Sequence, residues 1–242
     1  MVRLSERMEA LLRLCGTGGC GADVGCDHAY LSIRLVQEGR FARMIAMDLR
    51  NGPLQAAAQH IAQAGLVEAV ECRLSDGLQA LQPGEADTLI CAGMGGQLMQ
   101  RILAAEPQKT AAFQRMILQP QSDIPVFRHW LRETGFLITA EDIVCEDGKY
   151  YPMMRVCPKD AGESAVAADC PEELADTFGG SLLCGRHPVL KACLEQQMHI
   201  LEKAMAQLAE AGTENGDARR RQRYAALAEE KERVTKALSY FH

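Results

Sequence analysis

The side chains best placed for chemistry are carboxylates next to glycines. Asp23-Val24-Gly25-Cys26-Asp27 brackets one glycine with two acids at spacing D-x-G-x-D, where an apolar run gives way to a helix. Glycine has no Cβ, so a ligand can approach its backbone closely. Carboxylates repel phosphate but suit an amine, a hydroxyl or a sulfonium. The turn therefore reads as a site for a cationic, hydroxyl-rich cofactor, and S-adenosylmethionine is the candidate. Asp48 ends the next apolar run, Met44 to Asp48, and an ionised acid there accepts from both ribose hydroxyls. Asp76, followed by Gly77, comes after the third run and can accept from an adenine amino group.

These acids need a frame, and the chain supplies one. Ser5 to Leu14 reads as an amphipathic helix capped by Ser5. From Asp23 to Cys157 apolar strands alternate with helices. Strands are expected at Ala22 to Val24, Met44 to Asp48, Ala69 to Leu74, Asp87 to Cys91 and Met116 to Pro120. The expected helices start near His28, Asn51, Gly96 and Ile124. Phe136 to Cys145 and Tyr150 to Cys157 close the series as a hairpin around Asp147-Gly148. Strands alternating with helices give an α/β, doubly wound, mostly parallel sheet of seven strands. Such a sheet lines up its strand-end acids along one crevice. Gly16-Thr17-Gly18-Gly19-Cys20-Gly21 matches G-x-G-x-x-G, but it precedes the strand instead of following it. It reads as a flexible turn leading into the sheet.

Beyond Cys157 the composition shifts. Pro158 to Pro171 lacks periodicity and reads as a linker. Leu190, Leu194, Leu201 and Leu208 then recur at helical spacing, Ala211 to Asp217 breaks the pattern, and Tyr224, Leu227, Val234 and Leu238 resume it. This is the pattern of an antiparallel, coiled-coil-like α-helical hairpin. Arg219, Arg220, Arg221 and Arg223 open its second helix, against the helix dipole. They are either a solvated face or a phosphate-backbone contact.

A chain of 242 residues that is 48% apolar can bury a real core. No apolar run approaches the ~18 residues of a membrane span. Met1 to Arg7 has no apolar signal core, so a cytoplasmic protein without membrane association is expected. The ten cysteines, with no C-x-x-C pair, read as reduced thiols used as small core residues, and no metal is expected. The formal charge of −6 argues against a generally basic nucleic-acid binder but not against one with a local patch. Self-association stays open, with a monomer favoured.

Several segments together resemble the bacterial tRNA (adenine(22)-N(1))-methyltransferases, a class I, S-adenosylmethionine-dependent family. They are Asp23 to Leu31, Asp76-Gly77-Leu78, Ala92-Gly93-Met94-Gly95-Gly96, Ile117-Leu118-Gln119-Pro120 and Glu146 to Tyr150. The resemblance implies a Rossmann-like methyltransferase domain over residues 1–160 and a helical, coiled-coil-like domain over residues 161–242. It implies a tRNA partner and S-adenosylmethionine as methyl donor, with S-adenosylhomocysteine as product. Asp48 stands where many relatives carry Glu, which shortens the reach without changing the role. Residues and resemblance together assign cofactor binding to Asp23, Gly25, Asp27, His28, Asp48, Asp76, Gly77, Gly93 and Met94. Catalysis falls to Asp27, Met94 and Tyr30, and RNA binding to Arg219, Arg220, Arg221 and Arg223.

The fourth strand ends in Ala-Gly-Met-Gly-Gly, not in the Asn-Pro-Pro-Tyr that binds an exocyclic amine. N1 of adenine attacks through its own in-plane lone pair and needs mainly alignment, which a turn almost without side chains permits. Other acceptors for the methyl group, a nicotinamide-dependent redox reaction through Gly16 to Gly21, and a binding module working through the hairpin remain as alternatives.

Overall fold

A computed structural model describes residues 3–159, 170–210 and 218–242. The chain divides into two compact units, Met1–Val166 and Ala167–His242.

The first unit opens on α1 (Glu6–Cys15), whose N-cap Ser5 accepts from Met8 N through its hydroxyl. The sheet follows in the order β3-β2-β1-β4-β5-β7-β6. Its parallel strands are β1 (Gly18–Val24), β2 (Phe41–Asp48), β3 (Val70–Leu74), β4 (Thr88–Met94) and β5 (Arg115–Pro120). The antiparallel pair β6 (Phe136–Glu146) and β7 (Lys149–Pro158) is added to β5 through β7. Asp147 and Gly148 join the pair with φ of 51° and 72°, the left-handed backbone of a type I′ hairpin. Between strands run α2 (Tyr30–Gln37), α3 (Asn51–Gln63), α4 (Gly96–Ala105), the short α5 (Pro107–Ala112) and α6 (Ile124–Glu133).

Strand order reverses between β1 and β4, so the crevice opens beyond their carboxyl ends. Two apolar clusters fix the strands around it. Phe41, Met44 and Ile90 pack with α1 to α3 on one face, and Ile45, Leu89 and Leu118 pack with α4 and α6 on the other. On that second side Arg128 meets Glu141 at 2.8 Å, with side chains only 2% and 1% exposed, tying α6 to β6.

Three details depart from the sequence reading. Gly18, Gly19 and Gly21 are not a flexible turn but the first half of β1. A Cβ at Gly18 would stand 2.5 Å from both Asp87 Oδ1 and Phe41 Cε1, so neighbouring side chains fill the space these glycines leave. β4 runs on to Met94, three residues past its expected end, because Ala92 and Met94 still pair with β5 across a register shift. α5 carries no periodic signal at six residues and was not expected.

The second unit comprises α7 (Glu172–Phe178) and α8 (Gly180–Cys184), both unforeseen, then α9 (Pro188–Glu210) and α10 (Ala218–Leu238). α9 and α10 pack together, and Leu190, Leu194 and Leu201 of α9 and Val234 of α10 are buried. Gln197 Nε2 donates to Glu230 at 2.7 Å, and Lys231 Nζ donates to Glu202 at 3.0 Å. Tyr224, expected on the seam, is 44% exposed, so the packed contact belongs to the later part of α10. The expected linker falls mostly on residues 160–169, and the expected helix break on residues 211–217, both outside the described residues.

Among the described residues every cysteine is a free thiol, and Cys15, Cys26, Cys91 and Cys157 are buried. Burial pushes the Cys91 thiol up to about 12. These positions therefore carry inert packing thiols.

Candidate active site

An open cleft of about 290 Å³ lies beyond the ends of β1, β2, β3 and β4. Gly25 and Asp27 come from the β1–α2 turn, Asp48, Leu49 and Arg50 from the end of β2, and Ser75, Asp76 and Gly77 from the end of β3. Ala92, Gly93 and Met94 close one side, with Leu98 and Ile102 of α4.

Each wall has a local cause. Gly25 adopts φ +73°, and a Cβ there would collide with Met94 Cε, so only glycine leaves both the turn and the methionine in place. Gly25 N and Cys26 N both donate to Met47 O, at 2.8 and 3.0 Å, which binds the turn to β2. Asp27 and Ala29 follow with φ of 50° and 57°, costly conformations for residues with a side chain. Held strain of this kind concentrates at functional sites.

Asp48 is buried at the floor, and its Oδ1 accepts from Arg50 N at 2.9 Å. Ser75 builds the next turn by donating to Gly77 O at 2.8 Å and accepting from Ala80 N at 3.1 Å. Asp76 is thereby presented at the surface of the cleft. Leu49 is 63% exposed and Leu98 40%, an unusual outlay of apolar surface that suits a flat aromatic ligand.

The cleft thus gathers Gly25, Asp27, Asp48, Asp76, Gly77, Gly93 and Met94. Asp23 is not on its wall. That carboxylate lies 5% exposed inside β1, where it accepts from Ser32 Oγ at 2.7 Å, and burial, with Asp48 nearby, raises its pKa to about 6. His28 and Tyr30 also stand aside. The two left-handed residues turn His28 into an aromatic group with Tyr30 and His60, with Tyr30 and His60 stacked at 4.7 Å. His28 Nε2 remains 3.7 Å from Asp27 Oδ1. Arg219, Arg220, Arg221 and Arg223 sit exposed at the start of α10, in the other unit.

Two residues to which the sequence assigned no role brace the cleft. Gln119, fully buried in β5, accepts from Gly93 N at 3.2 Å through Oε1 and from Arg7 Nη1 at 3.0 Å through the same atom. Arg7 lies over the ring of Tyr151 at 5.5 Å, and its backbone N–H donates to Glu146 at 2.9 Å. Leu49 could have been suspected as an apolar residue directly after a strand-end acid. Arg7 offered no local signal.

The family model for tRNA (adenine(22)-N(1))-methyltransferases matches residues 21–234. The Bacillus subtilis (strain 168) tRNA (adenine(22)-N(1))-methyltransferase is 34% identical over 168 residues, covering 69% of each chain. The crystal structure of the B. subtilis m1A22 tRNA methyltransferase is similar at a TM-score of 0.83 and 27% identity, covering 98% of this chain and 100% of that one. Streptococcus pneumoniae Sp1610, solved in complex with S-adenosyl-L-methionine, is similar at a TM-score of 0.81 and 30% identity, with 98% and 100% covered.

Proposed function

The chain belongs to the tRNA (adenine(22)-N(1))-methyltransferase family, and from that premise we propose how its cleft carries out the reaction. It is an S-adenosylmethionine-dependent enzyme that transfers a methyl group to N1 of adenine 22 in tRNA. The cleft's donor set fits this cofactor: acids at two strand ends for hydroxyls and an amine, and apolar Leu49, Leu98 and Ile102 for a purine. When bound, the cofactor supplies an electrophilic methyl group on a positive sulfur.

Asp48 would hold the ribose hydroxyls, and Asp76 would accept from the adenine amino group. Leu49 and Ile102 line the same cleft and would offer apolar surface to the purine. Asp27, on the cleft wall at the β1–α2 turn, would supply negative charge to offset the positive charge that methyl transfer delivers to the adenine ring. N1 brings its own lone pair, so the transfer needs no strong general base and His28 is not required as one. Gly93 and Met94 admit the target base closely because Gly93 has no side chain and Gln119 pins its backbone. Asp23 serves by holding α2 against β1 through Ser32, and Tyr30 by tying α2 to His60 of α3, not by touching substrate.

The arginines from Arg219 to Arg223 contact tRNA phosphates in this reading, supported by four cations within five residues on an exposed helical turn. No described helix is long and apolar enough to cross a membrane, and a tRNA substrate accords with a cytoplasmic location.

The observation that carries the proposal is the convergence of Asp27, Asp48 and Asp76 with Gly25 and Gly93 on one cleft. Incubation with S-adenosylmethionine and unmodified tRNA, followed by nucleoside mass spectrometry, tests it. 1-Methyladenosine is expected, and its absence across a full tRNA set contradicts the reading.

A further inference from the structure

A second cavity, of about 420 Å³, lies beside the first and is lined by Pro120, Gln121, Ile124, Lys149, Tyr150 and Tyr151. It forms because β7 pairs with β5 only as far as Leu118–Met154, beyond which the start of β7 and the end of β5 diverge. The two cavities adjoin at β4. Gln121 N donates to Met94 O at 2.8 Å, and Gln121 Nε2 lies 3.8 Å from where a Cβ on Gly93 would stand. Near Gly93, a ligand in the second cavity therefore meets backbone without a side chain, with Arg7 Nη1 3.6 Å from that same point.

Resting on the family reading above, we propose that this cavity receives the target adenine flipped out of the tRNA, and that Gln121 reads the base by its N6–N7 edge. The lining suits a nucleotide. Tyr151 offers an aromatic ring, braced by the guanidinium of Arg7. Lys149 sits exposed at the mouth, where a phosphate would pass. A carboxamide is the side chain that pairs with adenine twice, accepting from N6–H and donating to N7. The reaction dictates which edge is read. N1 must keep its lone pair for the methyl group, so a carboxamide on the pairing edge would block the chemistry. The N6–N7 edge selects adenine and leaves N1 turned towards Gly93.

The test crosses one protein substitution with one atom of the substrate. The unsubstituted enzyme and Gln121→Leu are each assayed on tRNA carrying adenosine or 7-deazaadenosine at position 22, which removes the N7 acceptor. The unsubstituted enzyme is expected to lose about ten- to a hundredfold in kcat/KM on the deaza substrate. Gln121→Leu is expected to show a similar loss on both substrates, with no further penalty for the missing nitrogen, and Gln121→Asn to restore part of the discrimination. S-adenosylmethionine affinity should be the same in all variants. A full deaza penalty surviving in Gln121→Leu, or an unchanged kcat/KM for Gln121→Leu on adenosine, overturns the proposal. Failure of the unsubstituted enzyme to methylate adenosine 22 overturns the family reading instead, so the two failures are distinct.

Discussion

Arg7 and Gln119, 112 positions apart, meet at 3.0 Å through a guanidinium N–H and a carboxamide oxygen that also accepts from Gly93 N. One buried oxygen thus fixes both the end of β4 and the first turn of α1. The register of β4 against β5 shifts at this point, between Ala92 and Met94, and the clamp gives Gly93 N an acceptor inside the irregularity.

Gln119→Leu removes the acceptor and leaves Gly93 N without it. A stability loss of about 1–3 kcal/mol is expected. Displacing a reacting partner by about 1 Å can cost on the order of a hundredfold in rate. The variant should therefore lose kcat while its cofactor affinity changes little. Single-turnover methylation beside calorimetric cofactor titration separates the two quantities, and an unchanged kcat would remove the clamp from the account.

Asp48→Ala should act on the cofactor. Hydrogen bonds to a charged group contribute about 1.5–3 kcal/mol, so the Kd for S-adenosylmethionine should rise roughly ten- to a hundredfold. Asp76→Ala should cost less, because Asp76 is exposed whereas Asp48 is buried. Calorimetry on the two variants tests the order, which a larger loss for Asp76→Ala would reverse.

Asp23 gives the fold a pH signature. Burial raises its pKa from 3.8 to about 6, so between those values the folded chain holds a proton that the unfolded chain has released. Stability supplied by this group is therefore fully present below about pH 4, is lost as pH rises towards about 6, and stays flat above that. The upper bound for two units is about 3 kcal/mol. Asp23→Asn keeps an acceptor for Ser32 Oγ and should abolish this falling limb in urea unfolding followed against pH. A limb that persists in the variant would assign it to another group.

Replacing Arg219, Arg220, Arg221 and Arg223 by glutamine should weaken tRNA binding and flatten its salt dependence, with cofactor affinity unchanged. Each phosphate that is no longer neutralised makes the slope of log K against log salt shallower by about one. An unaltered slope would leave these arginines as a solvated face.

The strand-end acids were legible because a parallel sheet presents its carboxyl ends together, so Asp27, Asp48 and Asp76 needed only the strand pattern to be placed. Asp23 misled for the same reason. Its spacing from Gly25 resembles a site, but strand alternation turns its side chain under α2 to Ser32. The glycines before it looked like a turn by composition, yet Phe41 and Asp87 occupy the room their missing side chains leave. Nothing local marked Arg7, and Gln119 stood out only as part of the Ile117 to Pro120 segment, since their roles exist only once α1, β4 and β5 are assembled. Leu49, apart from following a strand-end acid, and Ile102 carry no signal in the sequence, and only their place beside the acids marks them as cleft residues. In α10 Val234 is buried, as its place in the helical spacing indicates, while Tyr224 is exposed.

The central claim is that this cleft delivers a methyl group to N1 of one adenine. Its most direct test is mapping of 1-methyladenosine along a tRNA incubated with the enzyme and S-adenosylmethionine, beside the same tRNA carrying guanosine at position 22. The account predicts modification at position 22 in the first and none in the second. Modification elsewhere in both, or in neither, would contradict it.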